Sequence, residues 1–331
     1  MSDLDFDDLF QRFRQLKVGV VGDVMLDTYL WGSVERISPE APVPIVTLSK
    51  KDFRLGGAAN VCLNLKGLGA RVQAFSVTGD DDDAIVLFSH FEKEGIGTGS
   101  IIKSKSRITT NKSRIISRNQ QMLRLDSEIT NDLSPEDENN LIGAIERFVN
   151  REKPAVMVLE DYNKGVLTAR VIAETIRICK EQGVLTTVDP KKKNFLNYRG
   201  VSIFKPNLKE VREALHIEGK FSTDQLDRIH EMLHAEMQHE VSLITLSELG
   251  VFYCKNGKST IIPSHFRNIA DVSGAGDTVI SVASLVYAAS GDIDLAAQIS
   301  NIAGGLVCEE VGTVAIDGER LLEECKLLLT N

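Results

Sequence analysis

Residues 271–278, Asp-Val-Ser-Gly-Ala-Gly-Asp-Thr, are the stretch of this 331-residue chain that says most about its fold. They lead into the apolar helical pattern of residues 279–289. Small residues let the backbone approach a ligand closely, and the unpaired N–H groups at the start of a helix favour an anion. The spacing therefore predicts a phosphate-binding turn within residues 274–276. Asp277 falls in the first helical turn, where two roles stay open: a carboxylate aimed at the anion site, or a helix cap.

Outward from this turn, short β-branched runs alternate with helical patterns along the chain. Strands are predicted at residues 18–21, 72–77, 155–159, 184–188, 201–204 and 241–246, and helices near 58–68, 82–94, 135–150, 168–182, 207–215 and 223–239. This alternation is typical of an α/β fold whose mainly parallel sheet is covered by helices on both faces. Residues 30–48 and 101–125 break the alternation, and we expect them to form a small β-sheet lid. We predict one major domain, residues 1–331, that carries this lid.

Composition and charge exclude several classes of protein. The chain holds 38 Lys and Arg against 47 Asp and Glu, a net charge of −9, so no global field attracts nucleic acid or an anionic membrane surface. The five cysteines are scattered and form no C-x-x-C pair, which argues against a disulfide framework. The acidic N-terminus argues against a signal peptide, and the lack of an apolar run of about 18 residues argues against a membrane span. We expect a cytoplasmic protein without nucleic-acid or membrane partners.

Residues 95–125 form a basic segment in this acidic chain. They contain no Asp or Glu, whereas seven Lys and Arg residues occur there. Arg114, Arg118 and Arg124 differ by even numbers, so they share a face if the segment is extended. A row of guanidinium groups suits a phosphorylated ligand. The alternative is a solvated edge strand that its charges protect from aggregation.

Two further motifs have structural explanations. Asn207 and Glu210 follow a predicted strand with the spacing of a capping box, which explains them as the start of a helix. They also fall at the carboxyl end of a strand, where open α/β sheets bind ligands, so the residues alone leave both roles open. Residues 230–234, His-Glu-Met-Leu-His, match the pattern of zinc metalloproteases. Because both histidines lie beside the apolar stripe of a predicted helix, we expect no metal there.

Three motifs together resemble the ribokinase-like, or PfkB, family of sugar kinases. They are Gly56-Gly57-Ala58-Ala59-Asn60 before a helix, Asn207-x-x-Glu210, and Asp271-x-Ser273-Gly274-Ala275-Gly276-Asp277, in the family's order. Residues 36–44, 117–121, 161–165 and 189–191 are similar to the heptose 7-phosphate kinases of that family. The resemblance covers nearly the whole chain. It implies a ribokinase-like fold, with a central, mostly parallel sheet flanked by helices and a small β-sheet lid that often forms the dimer contact.

The resemblance also implies an activity and its cofactors. It predicts transfer of the ATP γ-phosphate, with magnesium, to the anomeric hydroxyl of D-glycero-D-manno-heptose 7-phosphate. The product would be heptose 1,7-bisphosphate, a precursor in lipopolysaccharide synthesis. Relatives often use a monovalent cation such as potassium as well. The alternatives are a kinase of the same family for another acceptor, such as fructose 1-phosphate or a free pentose, or a sugar-phosphate-binding protein without catalysis.

By position, the resemblance assigns roles to individual residues. Asp277 matches the catalytic base, and Gly274, Ala275 and Gly276 match the anion hole. The nucleotide site is matched by Asn207, Glu210, Thr245, Ser247, Gly250 and Asn301. Glu210 is the expected contact to magnesium, through water. The sugar site is matched by Asp23, Gly57, Asn60 and Asp161. The candidates for the acceptor phosphate are the lid residues Arg114, Arg118 and Arg124, followed by Lys164 and Lys191.

Two features depart from the heptose kinases. Glu160 precedes Asp161 at a position where those kinases have a small polar residue, which bears on the details of sugar contact. In many of them the kinase is fused to a nucleotidyltransferase, whereas this chain contains no H-x-G-H motif. We therefore expect a separate nucleotidyltransferase to act on the product. We also expect a homodimer that forms through the lid.

Overall fold

Nine strands form the central sheet of the protein. The structure is a computed structural model that describes residues 5–118, 120–219 and 222–329. In sheet order, the strands are β13 (Lys258–Ile262), β12 (Val251–Lys255), β11 (Val241–Thr245), β10 (Ile203–Phe204), β9 (Leu185–Asp189), β8 (Val156–Glu160), β1 (Lys17–Gly22), β4 (Arg71–Thr78) and β5 (Gly97–Lys103). Neighbours from β11 to β5 are parallel, whereas β12 and β13 extend the other edge as an antiparallel pair.

Helices cover both faces of this sheet. One face packs against α1 (Phe6–Phe13), α2 (Ala58–Gly67), α3 (Asp82–Lys93), α8 (Ala275–Ser290), α9 (Ile293–Val307) and α10 (Gly318–Leu329). The other packs against α4 (Pro135–Glu152), α5 (Ala169–Glu181), α6 (Leu208–Ala214) and α7 (Leu226–Met237). In β1, Val18 and Val20 join the first core and Val21 joins the second, as the period of two in a strand requires. Within the described residues, no helix is both long and apolar enough to cross a bilayer.

A separate four-stranded sheet forms the lid. Its order is β3 (Pro44–Gly57), β2 (Val24–Ile37), β6 (Thr110–Ser117) and β7 (Gln120–Ser127). The predicted lid boundaries, residues 30–48 and 101–125, are therefore corrected. The first six residues of β2 are as buried as β1 before them, so the sequence gives no sign of a boundary at residue 24. Residues 101–103 belong to β5, which pairs with β4 in the central sheet.

The strands of the lid contradict the prediction that Arg114, Arg118 and Arg124 share one face. Arg118 has a φ of 48° and lies exposed in the turn between β6 and β7. Arg114 and Arg124 face each other across those two strands. Because the chain reverses direction at Arg118, the segment is a hairpin rather than one extended strand, and only Arg114 and Arg124 share a face.

The carboxyl ends of the central strands meet the start of α8 at one edge of the sheet. Glu160 and Asp189 end β8 and β9 and pair in register, so their side chains point to the same side. Lys205 follows β10 directly, and α8 contacts both β8 and β9. This edge therefore places two acids and a lysine next to the predicted anion-binding turn.

Candidate active site

The predicted anion-binding turn forms the start of α8. Gly274 is its N-cap residue, with a φ of 80° that favours glycine. Within the described residues, the N–H groups of Gly276 and Asp277 have no backbone acceptor. A Cβ atom on Gly276 would lie 3.4 Å from Asp189 Oδ2 and 3.7 Å from Lys205 Nζ. The turn therefore presents free N–H groups beside a buried ammonium group, an arrangement that suits an anion.

Asp277 is buried and held by two donors. Asn60 Nδ2 donates to its Oδ2 at 2.7 Å, and the Tyr162 hydroxyl donates to its Oδ1 at 2.7 Å. Burial raises the pKa of Asp277 to about 6, although both hydrogen bonds act in the opposite direction. Its side chain makes no capping bond to α8 in the described part of the chain. This geometry fits a base that is ionised at neutral pH and not a helix cap.

Three carboxyl groups and a lysine lie buried beneath the turn. One oxygen each of Glu160, Asp189 and Asp277 lies within 4.8 Å of the other two. Lys205 Nζ is 2.8 Å from Asp189 Oδ2, and both of these side chains are almost fully buried. Lys191 Nζ approaches the same aspartate at 3.5 Å. We call the three acids the carboxyl cluster; Lys191 and Lys205 are the two lysines beside it.

Glu160 is the unusual member of the carboxyl cluster. Its side chain is 0% exposed, and neither carboxyl oxygen has a hydrogen-bond partner within the described residues. Burial, followed by repulsion from Asp189 and Asp277, raises the pKa of Glu160 well above its ordinary value. A buried carboxylate without a donor is strongly unfavourable, so the neutral form is preferred. The folded chain therefore favours the protonated form of Glu160.

Asp23 and Asp161, which the resemblance places at the sugar, organise the loop after β8. Asp23 is buried and accepts three backbone N–H groups of residues 162–166 at 2.9–3.0 Å. Asp161 accepts the N–H of Asn163 and the hydroxyl of Tyr198, and burial raises its pKa to about 6. Both carboxyl groups are thus bound to the protein itself and fix the shape of this loop.

Gly57 and Asn60, the other predicted sugar-site residues, belong to the start of α2. Gly57 is the N-cap residue with a φ of 59°, and a Cβ atom there would lie 2.4 Å from the carbonyl oxygen of Asp23. Only glycine permits this close approach. The turn directs Asn60 toward Asp277, so the motif before α2 and the motif before α8 meet at one carboxylate.

A cleft of about 1360 Å³ opens from the α8 turn. Its lining includes the predicted nucleotide-site residues Asn207, Thr245, Ser247, Gly250 and Asn301. Glu210 is not part of the lining, because it closes the capping box of α6. Its Oε2 accepts the Asn207 N–H at 2.9 Å, and its Oε1 accepts from Lys191 Nζ at 2.7 Å. Folding therefore brings together five of the six residues predicted for the nucleotide.

Most of this chain matches a known protein family. The model of the pfkB family carbohydrate kinases matches residues 15–318. The chain belongs to the PfkB family of carbohydrate kinases. It is 37% identical over 325 residues to the bifunctional protein HldE of Geotalea uraniireducens, and 40% identical over 306 residues to that of Aliarcobacter butzleri. These matches cover 98% and 92% of this chain but only 66% and 63% of the two relatives, so the chain spans just under two thirds of their length.

Solved structures share this PfkB fold. Phosphofructokinase-2 from Escherichia coli, in complex with potassium, has a TM-score of 0.79 at 15% identity, over 96% of this chain and 99% of that one. Ribokinase from Arabidopsis thaliana, complexed with ribose and ATP, has a TM-score of 0.73 at 13% identity, over 93% and 99%. The predicted family and the predicted ribokinase-like fold are both confirmed.

The lid of this PfkB protein uses most of its predicted phosphate ligands internally. The ion pairs are Arg114 with Asp27, Arg124 with Asp126, and Lys164 with Glu128. Arg118 lies exposed at the hairpin turn. A cation that is already paired offers less net charge to a phosphate. The structure therefore gives no direct support to the arginine row as the acceptor site.

Three residues that lie around the site of this PfkB protein belong to no role predicted from the sequence. Tyr162 reaches the base from the loop after β8, Asp189 ends β9, and Lys205 follows β10. All three lie at the carboxyl ends of parallel strands, where open α/β sheets bind ligands. That position is the signal that could have identified them.

The two histidines of the His-Glu-Met-Leu-His motif have partners in the protein. His230 Nδ1 lies 2.9 Å from Ser242 Oγ, and His234 Nδ1 lies 2.8 Å from the carbonyl oxygen of His239. Among the residues that the structure describes, the carboxyl cluster is the one group of His, Cys, Asp and Glu with ligand atoms close enough to share a metal ion.

Proposed function

We propose that this chain transfers the γ-phosphate of ATP to the anomeric hydroxyl of D-glycero-D-manno-heptose 7-phosphate. The product, heptose 1,7-bisphosphate, would serve lipopolysaccharide precursor synthesis. The observation that carries the proposal is the buried Asp277 carboxylate beside the free N–H groups of the α8 turn, at the large cleft. The heptose acceptor is supported by the motifs shared with heptose kinases and by 35–40% identity to HldE proteins.

Asp277 is the proposed base for the sugar hydroxyl. With a pKa of about 6 it is ionised at neutral pH, and Asn60 and Tyr162 fix its orientation. As the carboxylate takes the proton, the hydroxyl oxygen bonds to the γ-phosphorus and the bond to the bridging oxygen breaks, which releases ADP. The transition state is loose and its charge lies on the phosphoryl oxygens. The N–H groups of the turn would stabilise that charge.

ATP and its cations complete the proposal. ATP use is supported by the fold shared with the Arabidopsis ribokinase that was solved with ribose and ATP. Both carboxyl oxygens of Glu210 already accept hydrogen bonds, so it fits a contact to magnesium through water, and magnesium usually keeps several waters. When bound, magnesium neutralises phosphate charge. A monovalent cation such as potassium stays a prediction, for which the potassium complex of E. coli phosphofructokinase-2 offers a precedent.

The decisive experiment measures ADP release with magnesium, ATP and a panel of acceptors. The panel holds heptose 7-phosphate, unphosphorylated heptose, fructose 1-phosphate and ribose, and we expect the highest kcat/KM with heptose 7-phosphate. Asp277→Asn is the control, which should bind ATP normally and lose at least about 10²-fold in kcat. A better acceptor elsewhere in the panel would assign another PfkB activity. Sugar-phosphate binding without ADP release would indicate a binding protein.

Three predictions about the setting of this enzyme remain part of the proposal. They are the homodimer through the lid, the cytoplasmic location, and a nucleotidyltransferase that acts on the product. The dimer is supported by the outer face of β7, where Leu123 and Leu125 are 53% and 52% exposed. Apolar side chains exposed side by side on a free edge strand favour pairing with a second copy.

A further inference from the structure

Lys112, on the inner face of the lid, has no acid partner among the described residues. Lys112 on β6 pairs in register with Asp27 of β2 and Asp126 of β7. Those two acids bind arginines instead, and the third nearby acid, Glu128, binds Lys164. Within the described residues, the Lys112 ammonium has no ion-pair or hydrogen-bond partner. Lys112 therefore carries an uncompensated positive charge on the inner face of the lid.

This unpaired ammonium lies next to the catalytic centre. Lys112 Nζ is 5.6 Å from the centre of the Tyr162 ring, and the hydroxyl of that ring is bonded to Asp277. Tyr162 thus lies close to both the base and the cation. Lys112 is half-buried, and burial, followed by the charge of Lys164, lowers its pKa. A bound anion would relieve both effects.

We propose that Lys112 binds the phosphate of the acceptor sugar and so makes this kinase specific for a phosphorylated acceptor. The proposal rests on the function proposed above. The acceptor would lie along the Tyr162 ring, with its reacting hydroxyl at Asp277 and its phosphate at Lys112. Arg114 and Arg124 act indirectly, because they hold Asp27 and Asp126 and so keep Lys112 free for the substrate.

The test compares Lys112→Met with Lys50→Met, which makes the same change at an exposed position on β3 of the lid. Loss of a charged hydrogen bond should raise the KM for heptose 7-phosphate about 10- to 150-fold in Lys112→Met. The KM for ATP and the KM for unphosphorylated heptose should not change. Lys112→Arg should recover part of the loss. Inorganic phosphate should compete with the sugar phosphate in the wild type and compete less in Lys112→Met.

The outcomes separate this inference from the proposed function. If the wild type does not prefer heptose 7-phosphate over heptose, the proposed function fails. If the wild type does prefer heptose 7-phosphate, three results for Lys112→Met would overturn the inference while the function stands. They are an unchanged KM for both acceptors, an equal change in the KM for both acceptors, or a raised KM for ATP. Thermal unfolding of each variant shows whether it is folded. Lys112→Gln removes the same charge and replaces Lys112→Met if that variant unfolds.

Discussion

At the residue scale, Tyr162 sets the ionisation of the proposed base. Its hydroxyl donates to Asp277 Oδ1 at 2.7 Å and so favours the ionised carboxylate, against burial, which raises the pKa to about 6. Tyr162→Phe removes this donor. The pKa of Asp277 should therefore rise, and the acid limb of the pH profile of kcat/KM should move upward by about one unit.

The matched control for this prediction is Tyr198→Phe. Tyr198 donates in the same way to Asp161, also at 2.7 Å, and does not touch Asp277. This variant should leave the acid limb in place. Well above the limb, where the carboxylate is ionised in either case, Tyr162→Phe should recover most of its activity. An unmoved limb in Tyr162→Phe would show that another group titrates there.

Glu160→Gln tests whether the buried carboxyl group is protonated. The folded pKa is raised above the unfolded value of about 4.5, so the unfolded chain releases this proton first as the pH rises. The wild type therefore loses stability as the pH rises from about 4.5 to the folded pKa. Below about pH 4.5 the group is protonated in both states and causes no loss. Gln has the same shape and no proton to lose. At pH 8 the variant should be more stable than the wild type by at least about 1 kcal/mol.

Urea denaturation at several pH values between 4.5 and 8 measures this effect. The two proteins should be similar at the acid end and diverge as the pH rises. Glu146→Gln makes the same change at an exposed position of α4 and should keep the wild-type slope. Parallel curves for the wild type and Glu160→Gln would mean that the carboxyl group is ionised and has a counter-charge in solution.

At the scale of elements, we predict that the start of α8 needs glycine at Gly276 for the proposed phosphate ligand and not for its fold. A Cβ atom there would make contacts of 3.4 Å or longer, which are ordinary van der Waals distances. The added methyl group would occupy the space in front of the free N–H groups. Gly276→Ala should therefore fold normally but lose about 10²- to 10³-fold in kcat, as when an oxyanion donor is lost.

Gly143→Ala on α4 is the control for Gly276→Ala. It also lies inside a helix, and its Cβ atom would meet only the end of the Arg147 side chain, at 3.2 Å. We expect a small gain in stability from the better helix former, and unchanged kinetics. Normal kcat in Gly276→Ala, with an intact fold, would place the transferring phosphoryl group away from this turn.

At the scale of the whole molecule, the lid is expected to join two copies of the chain. Leu123 and Leu125 are exposed on the face of β7 that is opposite to the charged inner face. Leu125→Lys places a charge in the proposed interface and should convert a dimer to a monomer, as light scattering at micromolar concentration would show. Leu327→Lys, at an exposed position on α10, should remain dimeric. A monomeric wild type would contradict the prediction.

Much of this protein follows from short stretches of its sequence. The small residues of 271–278, the glycines before α2, and the alternation of strand and helix predict the α/β fold and the family, because turn chemistry and hydrophobic period act over a few residues. The capping box at Asn207 and Glu210 is local in the same sense and is present in the structure. The five residues predicted for the nucleotide follow instead from the resemblance to the family, and the fold brings them together at one cleft.

The tertiary structure alone decided which charges are free. Asp126 neutralises Arg124 from two positions along the same strand. Asp27 and Glu128 neutralise Arg114 and Lys164, and Lys112 is left unpaired, because the assembled fold brings these distant residues together and no local pattern encodes their contacts. The lid boundaries were mistaken for a related reason, since β5 looks like a lid strand until it pairs with β4. The buried state of Glu160 likewise exists only once α8 covers the ends of β8 and β9, because removal from water is a property of the assembled core and not of any segment.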